Sequence, residues 1–168
     1  MTRRLFNIAA LSLGVFGSPA FARETESWER LDLPTAPLFD APGLETEMLD
    51  DLNAERRRHD RAPLTLDARL SAVARTYARE MLRERFIGHV APNGTTFIER
   101  LQRAGLPATY MGENLAYTTG DENQAFTHLV ASPGHLANML NTRFTIVGIG
   151  AIAIGIYGTM YVQEFEGD

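Results

Sequence analysis

The hydrophobic pattern of this chain predicts three helices before residue 106. Over residues 44–60 and 67–86, apolar side chains recur every three or four positions while Glu, Asp and Arg fill the other faces. This spacing indicates two amphipathic helices that each pack on a core by one side. Thr96, followed three residues later by Glu99, is a capping box that predicts a third helix, and this helix is expected to stop at Gly105.

The second half of the chain changes to the pattern of a sheet. A short strand is predicted within "YMGENLAYTT", and a fourth helix is predicted in "DENQAFTHLVA", where acidic residues favour the helix start. A fifth helix follows "SPG". The tail "TIVGIGAIAIGIYGTMYVQEF" predicts two strands joined around residues 155–158, the second alternating its side chains between two faces. Helices first and a closing hairpin last indicate an α+β layered domain.

The N-terminus has the three parts of an export signal. Arg3 and Arg4 precede an apolar stretch, and Ala20-Phe21-Ala22 is an A-x-A cleavage site. We therefore predict a signal peptide over residues 1–22, an extended leader over 23–43 and one domain over 44–168. Paired arginines also fit the twin-arginine pathway, so an ordinary secretory signal and a twin-arginine signal both stay open. The apolar stretch is shorter than the roughly 20 residues that span a bilayer, and no transmembrane segment is predicted.

Charge and cysteine content narrow the classes of partner. Without the two arginines of the signal, 14 basic residues face 21 acidic residues, a net charge of about −7. This balance argues against nucleic acid and against polybasic contact with anionic membranes. The chain has no cysteine, so an exported domain must be stable without disulfides. The sequence leaves the oligomeric state open.

Four positions could carry chemistry. His89 lies in the loop "FIGHVAPNG", and Glu113 lies in "GEN" at a strand, where neighbouring sheet can hold a carboxylate in place. In "SPGH", Ser132 is predicted to cap the fifth helix and His135 to project from its first turn. The partial positive charge at that turn favours a neutral imidazole, which a metal ligand or a general base requires. The intervals between these residues match no local metal motif, so the residues alone leave their convergence open.

Four sequence blocks, in order, resemble the CAP superfamily, also called SCP. They are "LNAERRRHDRAPLTLDARLSAVARTYAREMLRERFIGHVAPNG", "RAGLPATYMGENLAY", "ASPGHLANMLNTRFTIVGIGAI" and "YVQEF". The resemblance implies a three-layer α-β-α sandwich with a cleft of two histidines and acidic residues that in some members hold a divalent cation. By position, the implied cleft comprises His89, Glu113, Ser132 and His135, with His89, His135 and Glu113 as the metal ligands. Ser132 stands where many members have a second glutamate.

Two classes of function follow from the resemblance. The favoured one is an exported binding module, in the periplasm or outside the cell, whose cleft takes Zn²⁺ or another divalent cation and a small lipid, sterol or glycan. The alternative is a metal-dependent hydrolase of peptide or cell-wall substrates, with Glu113 as the candidate catalytic base. A nucleophilic Ser132 with His135 as its base is weighed as well, but one hydroxyl cannot readily both cap a helix and attack a substrate. His59 and His128 are interpreted as surface or packing residues.

Overall fold

The computed structural model describes residues 11–14, 28–106 and 110–167. The charged start of the predicted export signal, Arg3 and Arg4, and its cleavage site, Ala20 to Ala22, lie outside these ranges, whereas residues 11–14 of its apolar stretch are described. The elements of the described chain are β1 (Leu11–Gly14), β2 (Trp28–Arg30), β3 (Phe39–Asp40), α1 (Pro42–Arg58), β4 (Thr65–Leu66), α2 (Ala68–Glu84), β5 (Phe86–Gly88), α3 (Phe97–Arg103), β6 (Tyr110–Thr118), α4 (Glu122–Ala131), α5 (Pro133–Leu140), β7 (Phe144–Ala153), a 3₁₀ turn (Gly155–Tyr157) and β8 (Thr159–Gly167).

A central sheet organises the described chain. Its strands lie in the order β1-β6-β8-β7-β3, all antiparallel, and β4 pairs in parallel with β7. A separate ribbon joins β2 to β5. The predicted closing hairpin is confirmed as β7 and β8, and the predicted short strand within "YMGENLAYTT" is the nine-residue β6.

Helices cover both faces of the sheet, which confirms the predicted three-layer α-β-α sandwich. On one face, α2 packs on Leu115, Ile152 and Val162. On the other face, α1, α4 and α5 pack on the alternate residues of the same strands, including Ala116 and Tyr161. Successive side chains of a strand point to opposite faces. Because both faces are covered, β6 is buried along its whole length and β8 along nearly all of it.

The two middle helices begin and end as their sequences predict. The side chain of Asp67 accepts hydrogen bonds from the first backbone N–H groups of α2, and Arg85 closes that helix in the left-handed conformation. In α3, Thr96 and Glu99 form the predicted capping box, with Thr96 N donating to Glu99 Oε2 at 2.8 Å. Gly105, just beyond the helix, has a φ of +71°. This short helix carries Arg100, which reaches the candidate site.

The prediction that Ser132 caps the fifth helix through its side chain is wrong. Ser132 occupies the N-cap position of α5, but its hydroxyl makes no capping hydrogen bond. The residue also ends α4, with its N–H donating to the carbonyl of Leu129, while its own carbonyl accepts from Leu136 at 2.9 Å. The backbone of Ser132 therefore serves two helices at once, and its conformation is set by that junction rather than by a hydroxyl cap.

The predicted leader over residues 23–43 is extended where it is described, and it lies on the domain. Trp28 to Arg30 pair with β5, and Leu33 is buried in the same core as α2. Phe39 and Asp40 pair with β7, and α1 begins at Pro42, two residues before the predicted start. Among the described residues, no helix has the length and apolar character needed to cross a membrane.

Candidate functional site

Glu113, in the middle of β6, is the centre of a buried polar cluster. Its side chain has no exposed surface. One carboxylate oxygen, Oε1, lies 2.7 Å from Nδ1 of His89, and the other, Oε2, accepts a hydrogen bond from Arg100 at 2.5 Å. Both oxygens of the carboxylate are therefore occupied by nitrogen donors, one from an imidazole and one from a guanidinium.

The elements around Glu113 hold these two donors in place. His89 directly follows β5, and the hydroxyl of Tyr77 in α2 donates to the carbonyl of Gly88 just before it. Arg100 donates to the carbonyl of His89 at 3.2 Å, and its guanidinium lies over the ring of Tyr77 with 3.2 Å between its central carbon and the ring centroid. A guanidinium over an aromatic face gains a cation–π attraction. Tyr77 thus positions both His89 and Arg100.

The charge of Arg100 keeps Glu113 ionised. Burial by itself would raise the pKa of Glu113, but the Arg100 guanidinium and the hydrogen bond from His89 outweigh burial, and the pKa lies below its ordinary value. An ionised carboxylate only accepts hydrogen bonds, so the proton in the bond to His89 is on Nδ1. In the neutral imidazole, the lone pair is then on Nε2.

Glu164 is a second buried acid at the site, and sequence reasoning missed its role. It lies on β8 directly opposite Glu113 on β6, and it too has no exposed surface. Its carboxyl oxygens have no nitrogen donor among the described residues, and its hydrogen bond with Glu113 is one that a protonated Glu164 donates. Burial first, and the negative charge of Glu113 second, raise the pKa of Glu164 well above its ordinary value, and Arg100 offsets this only in part. Glu164 is therefore the neutral member of the carboxyl pair.

A signal for Glu164 was present in the sequence. The alternation of the last strand puts Glu164 on the same face as Val162, and a charged residue on an apolar face of an inner strand marks a buried acid. The sequence did not reveal that this strand lies beside β6, because antiparallel strand order is a tertiary property.

We predict that Glu164→Gln removes a pH-dependent loss of stability. A carboxyl whose pKa is higher in the folded than in the unfolded state makes the folded state bind more protons, so stability falls as pH rises from the unfolded value of about 4.3. In wild type this carboxyl lowers the free energy of unfolding by up to about 1.4 kcal/mol for each pH unit between its unfolded and its folded pKa. In Glu164→Gln this part of the decrease should be absent. Urea unfolding between pH 4 and pH 8 measures the difference.

The surface control for this measurement is Glu29→Gln on the exposed strand β2. A wild-type profile in Glu164→Gln would mean that Glu164 is not held neutral in the folded protein. The opposite sign applies to Glu113: because its pKa is lowered on folding, its contribution is present above the unfolded value and is lost as pH falls through the folded value.

His135 is buried in the first turn of α5, and the structure joins that helix to β6 by amide groups. Asn114 donates to the carbonyl of His135 at 3.2 Å, and Asn138 donates to the backbone carbonyl of Glu113 at 3.3 Å and to the side chain of Asn114 at 2.9 Å. Asn114 and Glu113 are consecutive on a strand, so their side chains point to opposite faces of the sheet. The helix of His135 thus packs on the face opposite to the Glu113 carboxylate.

The predicted metal ligands are brought together only in part. His89 and Glu113 are in direct contact, but the described residues contain no group of three His, Cys, Asp or Glu side chains arranged to hold a metal ion. Nε2 of His89 is buried and has no hydrogen-bond partner among the residues that the structure describes. Histidines that bind a metal through one nitrogen commonly donate the other N–H to a carboxylate, as His89 does to Glu113. The orientation of His89 by Glu113 is therefore that of a metal-binding histidine, but the described residues do not complete a metal site around its Nε2.

The other residues singled out from the sequence lie away from this cluster. Ser132 is half-buried at the junction of α4 and α5. His59 is at the end of α1, with Nε2 3.0 Å from Glu55, and His128 is exposed on α4. The surface interpretation of His59 and His128 agrees with these positions.

Two curated proteins are similar to this chain in sequence. The Bacillus subtilis (strain 168) protein YkwD is 26% identical over 139 residues, 83% of this chain and 53% of YkwD, and the membrane protein YlbC of the same strain is 29% identical over 106 residues, 63% of this chain and 31% of YlbC. The chain thus spans about half and about a third of the length of these curated relatives.

Solved structures of other proteins are similar to this chain in fold. An extracellular protein with an SCP domain from Bacillus anthracis str. Ames superposes with a TM-score of 0.68 at 30% identity, over 76% of this chain and 41% of that one. An outer surface protein from Borrelia burgdorferi has a TM-score of 0.74 at 21% identity, over 79% of this chain and 98% of its own, which shows the fold alone. The profile of the Cysteine-rich secretory protein family (CAP) matches residues 49–165. The chain therefore belongs to the CAP family.

Proposed function

We propose that this chain is an exported CAP-domain binding module whose recognition atom is Nε2 of His89. The observation that carries the proposal is the 2.7 Å contact between Nδ1 of His89 and the Glu113 carboxylate, together with a buried Nε2 that no described residue hydrogen-bonds. A buried polar atom without a partner is costly, and a ligand atom at Nε2 would remove that cost. The ligand is a divalent cation, and with it a small lipid, sterol or glycan.

The cluster prepares Nε2 to accept such a ligand. Arg100 holds Glu113 ionised, the carboxylate fixes the Nδ1–H tautomer, and the lone pair of Nε2 is left for a cation or for a hydroxyl proton. Burial lowers the local dielectric and strengthens each of these interactions. If a cation binds, Nε2 of His89 would hold it, Glu113 would orient His89, and the cation would supply a positive charge for polar groups of the ligand.

Export is supported by the relatives and by the N-terminal residues. The Bacillus anthracis and Borrelia burgdorferi structures are described as extracellular and outer surface proteins. The first 22 residues have the charged, apolar and A-x-A parts of an export signal. Periplasm and extracellular space both fit this proposal.

We expect wild-type protein to bind Zn²⁺ and His89→Ala to lose at least about tenfold in affinity, because Nε2 of His89 is the donor that the fold leaves open. Isothermal titration with Zn²⁺ on the metal-free protein measures this. His128→Ala, which removes an exposed histidine of α4, is the matched control and should bind as wild type does. Equal affinity in wild type and His89→Ala would contradict the proposal.

A metal-dependent hydrolase of peptide or cell-wall substrates is the second candidate. The observation in its favour is the orientation of His89 by an ionised carboxylate, which is also how a general base is held. A screen against ester, peptide and peptidoglycan substrates with added Zn²⁺ tests it, with Glu113→Gln as the variant that removes the orienting charge. Activity that survives Glu113→Gln would remove Glu113 from the mechanism.

A further inference from the structure

The outer edge of β6 is occupied by a strand from the predicted export signal. Residues 11–14 form β1, which pairs antiparallel with β6 and is the last strand on that side of the described sheet. The register joins Leu11 to Leu115 and Gly14 to Gly112, so it includes Glu113, which pairs with Leu13. An extended backbone therefore fits against the segment of β6 that carries the site.

A helix borders this position on one side. α5, with His135 buried in its first turn, packs against β1 as well as against β6. Because Asn114 and Asn138 tie α5 to β6 through side-chain amides, the helix is fixed relative to the strand edge. The place held by β1 is thus a slot with a strand edge on one side and a fixed helix beside it.

Removal of the signal would leave this edge open. Apart from β1, the only described strand that pairs with β6 is β8, on its other side. An edge strand without a neighbour presents a row of N–H and C=O groups that can pair with another extended chain. The inference rests on one part of the proposed function, namely that the signal peptide, residues 1–22, is cleaved on export.

We propose that residues 112–115 of β6 form a binding site for an extended peptide, which adds to the sheet antiparallel in the position that Leu11–Gly14 holds in the uncleaved chain. Backbone hydrogen bonds recognise the peptide, so a peptide fits this edge where a sterol or a glycan does not. In the processed form the occupant is an extended segment of another protein, which takes the place that the chain's own signal peptide holds in the precursor.

The experiment uses a synthetic peptide of residues 9–16, "AALSLGVF", with two lysines added for solubility. Two further peptides carry N-methyl groups on alternate residues, one on Leu11 and Leu13 and the other on Ser12 and Gly14. In an antiparallel pair, alternate residues direct their N–H groups to the partner strand. One methylated peptide should therefore lose at least about tenfold in affinity for the processed protein, and the other should bind about as tightly as the parent.

The full-length, uncleaved chain provides a second experiment. In the wild-type precursor, β1 competes with the peptide within the same molecule, which makes it an effective competitor. Ser12→Pro/Leu13→Pro should release that strand, because proline cannot donate to the ladder, and should raise peptide affinity at least about tenfold. Equal weakening by both methylated peptides, or no peptide binding to the double-proline variant, would overturn the proposal.

Two measurements distinguish peptide binding at β6 from Zn²⁺ binding at His89 and from dimerisation. Peptide titrations of the processed protein in metal-free buffer measure strand addition without Zn²⁺, so failure of Zn²⁺ binding and failure of peptide binding are distinguishable. Sedimentation of the processed protein should show a monomer. A dimer that the peptide dissociates would mean that the edge takes a second copy of this chain, and that result would also overturn the proposal.

Discussion

Replacing Glu113 by Ala should lower the free energy of unfolding by about 3–5 kcal/mol, the largest effect expected from a single substitution at the site. The reason is that Arg100, whose side chain is 8% exposed, would be left buried without its carboxylate. His89 would lose its acceptor at the same time. Urea unfolding at pH 7 measures the free energy, and the melting temperature should fall by about 10 °C.

A double-mutant cycle identifies the cause of this loss. Glu113→Met and Arg100→Met should each destabilise the protein strongly, whereas the double variant should be more stable than the sum of the two losses predicts, because it leaves no unpaired buried charge. Strict additivity would mean that the contact between these residues does not carry the effect. A melting temperature equal to wild type in Glu113→Ala would contradict the prediction outright.

Replacing Gly148 by Ala should cost about 3 kcal/mol through overpacking, the second large effect expected. A Cβ at Gly148 would overlap the backbone of Leu70 and Ser71 in α2, and a Cβ at Gly150 would overlap the backbone of Ala74 and Arg75. These two glycines of β7 let α2 lie directly on the sheet. Because the overlapping atoms are backbone, relief requires that the whole helix move.

The matched control is Gly43→Ala in the first turn of α1, where an added Cβ meets no atom within 4 Å. Ala is favoured over Gly in a helix, so this variant should be as stable as wild type or more stable by up to about 1 kcal/mol. Thermal and urea unfolding measure the stability of both variants. If Gly148→Ala were as stable as Gly43→Ala, the close approach of α2 to β7 would not be needed for stability.

Local sequence signals predicted most of the secondary structure for reasons that act over a few residues. The capping box of Thr96 and Glu99 and the amphipathic spacing of α2 depend on neighbours within one or two turns, and both are present in the structure. Ser132 shows where such a signal fails. Its backbone is shared by two helices, and the geometry of that junction overrides the preference of its hydroxyl for a cap.

The candidate site was predicted less completely than the fold. His89 and Glu113 were identified from the resemblance and lie in contact, and His135 is buried beside the same strand. Arg100 was missed because an arginine on an amphipathic helix is usually a solvated residue. Its burial and its contact with Glu113 depend on how α3 packs on α2 and β6.

The sequence by itself determined the helices, the closing hairpin and the residue types available for chemistry, because these follow from local propensity, hydrophobic period and composition. Only the tertiary structure determined which ionisable side chains come into contact. It placed Glu164 opposite Glu113 across two strands that are far apart in sequence, and it put Arg100 between the acid pair and Tyr77. Burial at that meeting point raises the pKa of one carboxyl while Arg100 lowers that of the other, and no pattern along the chain encodes that difference.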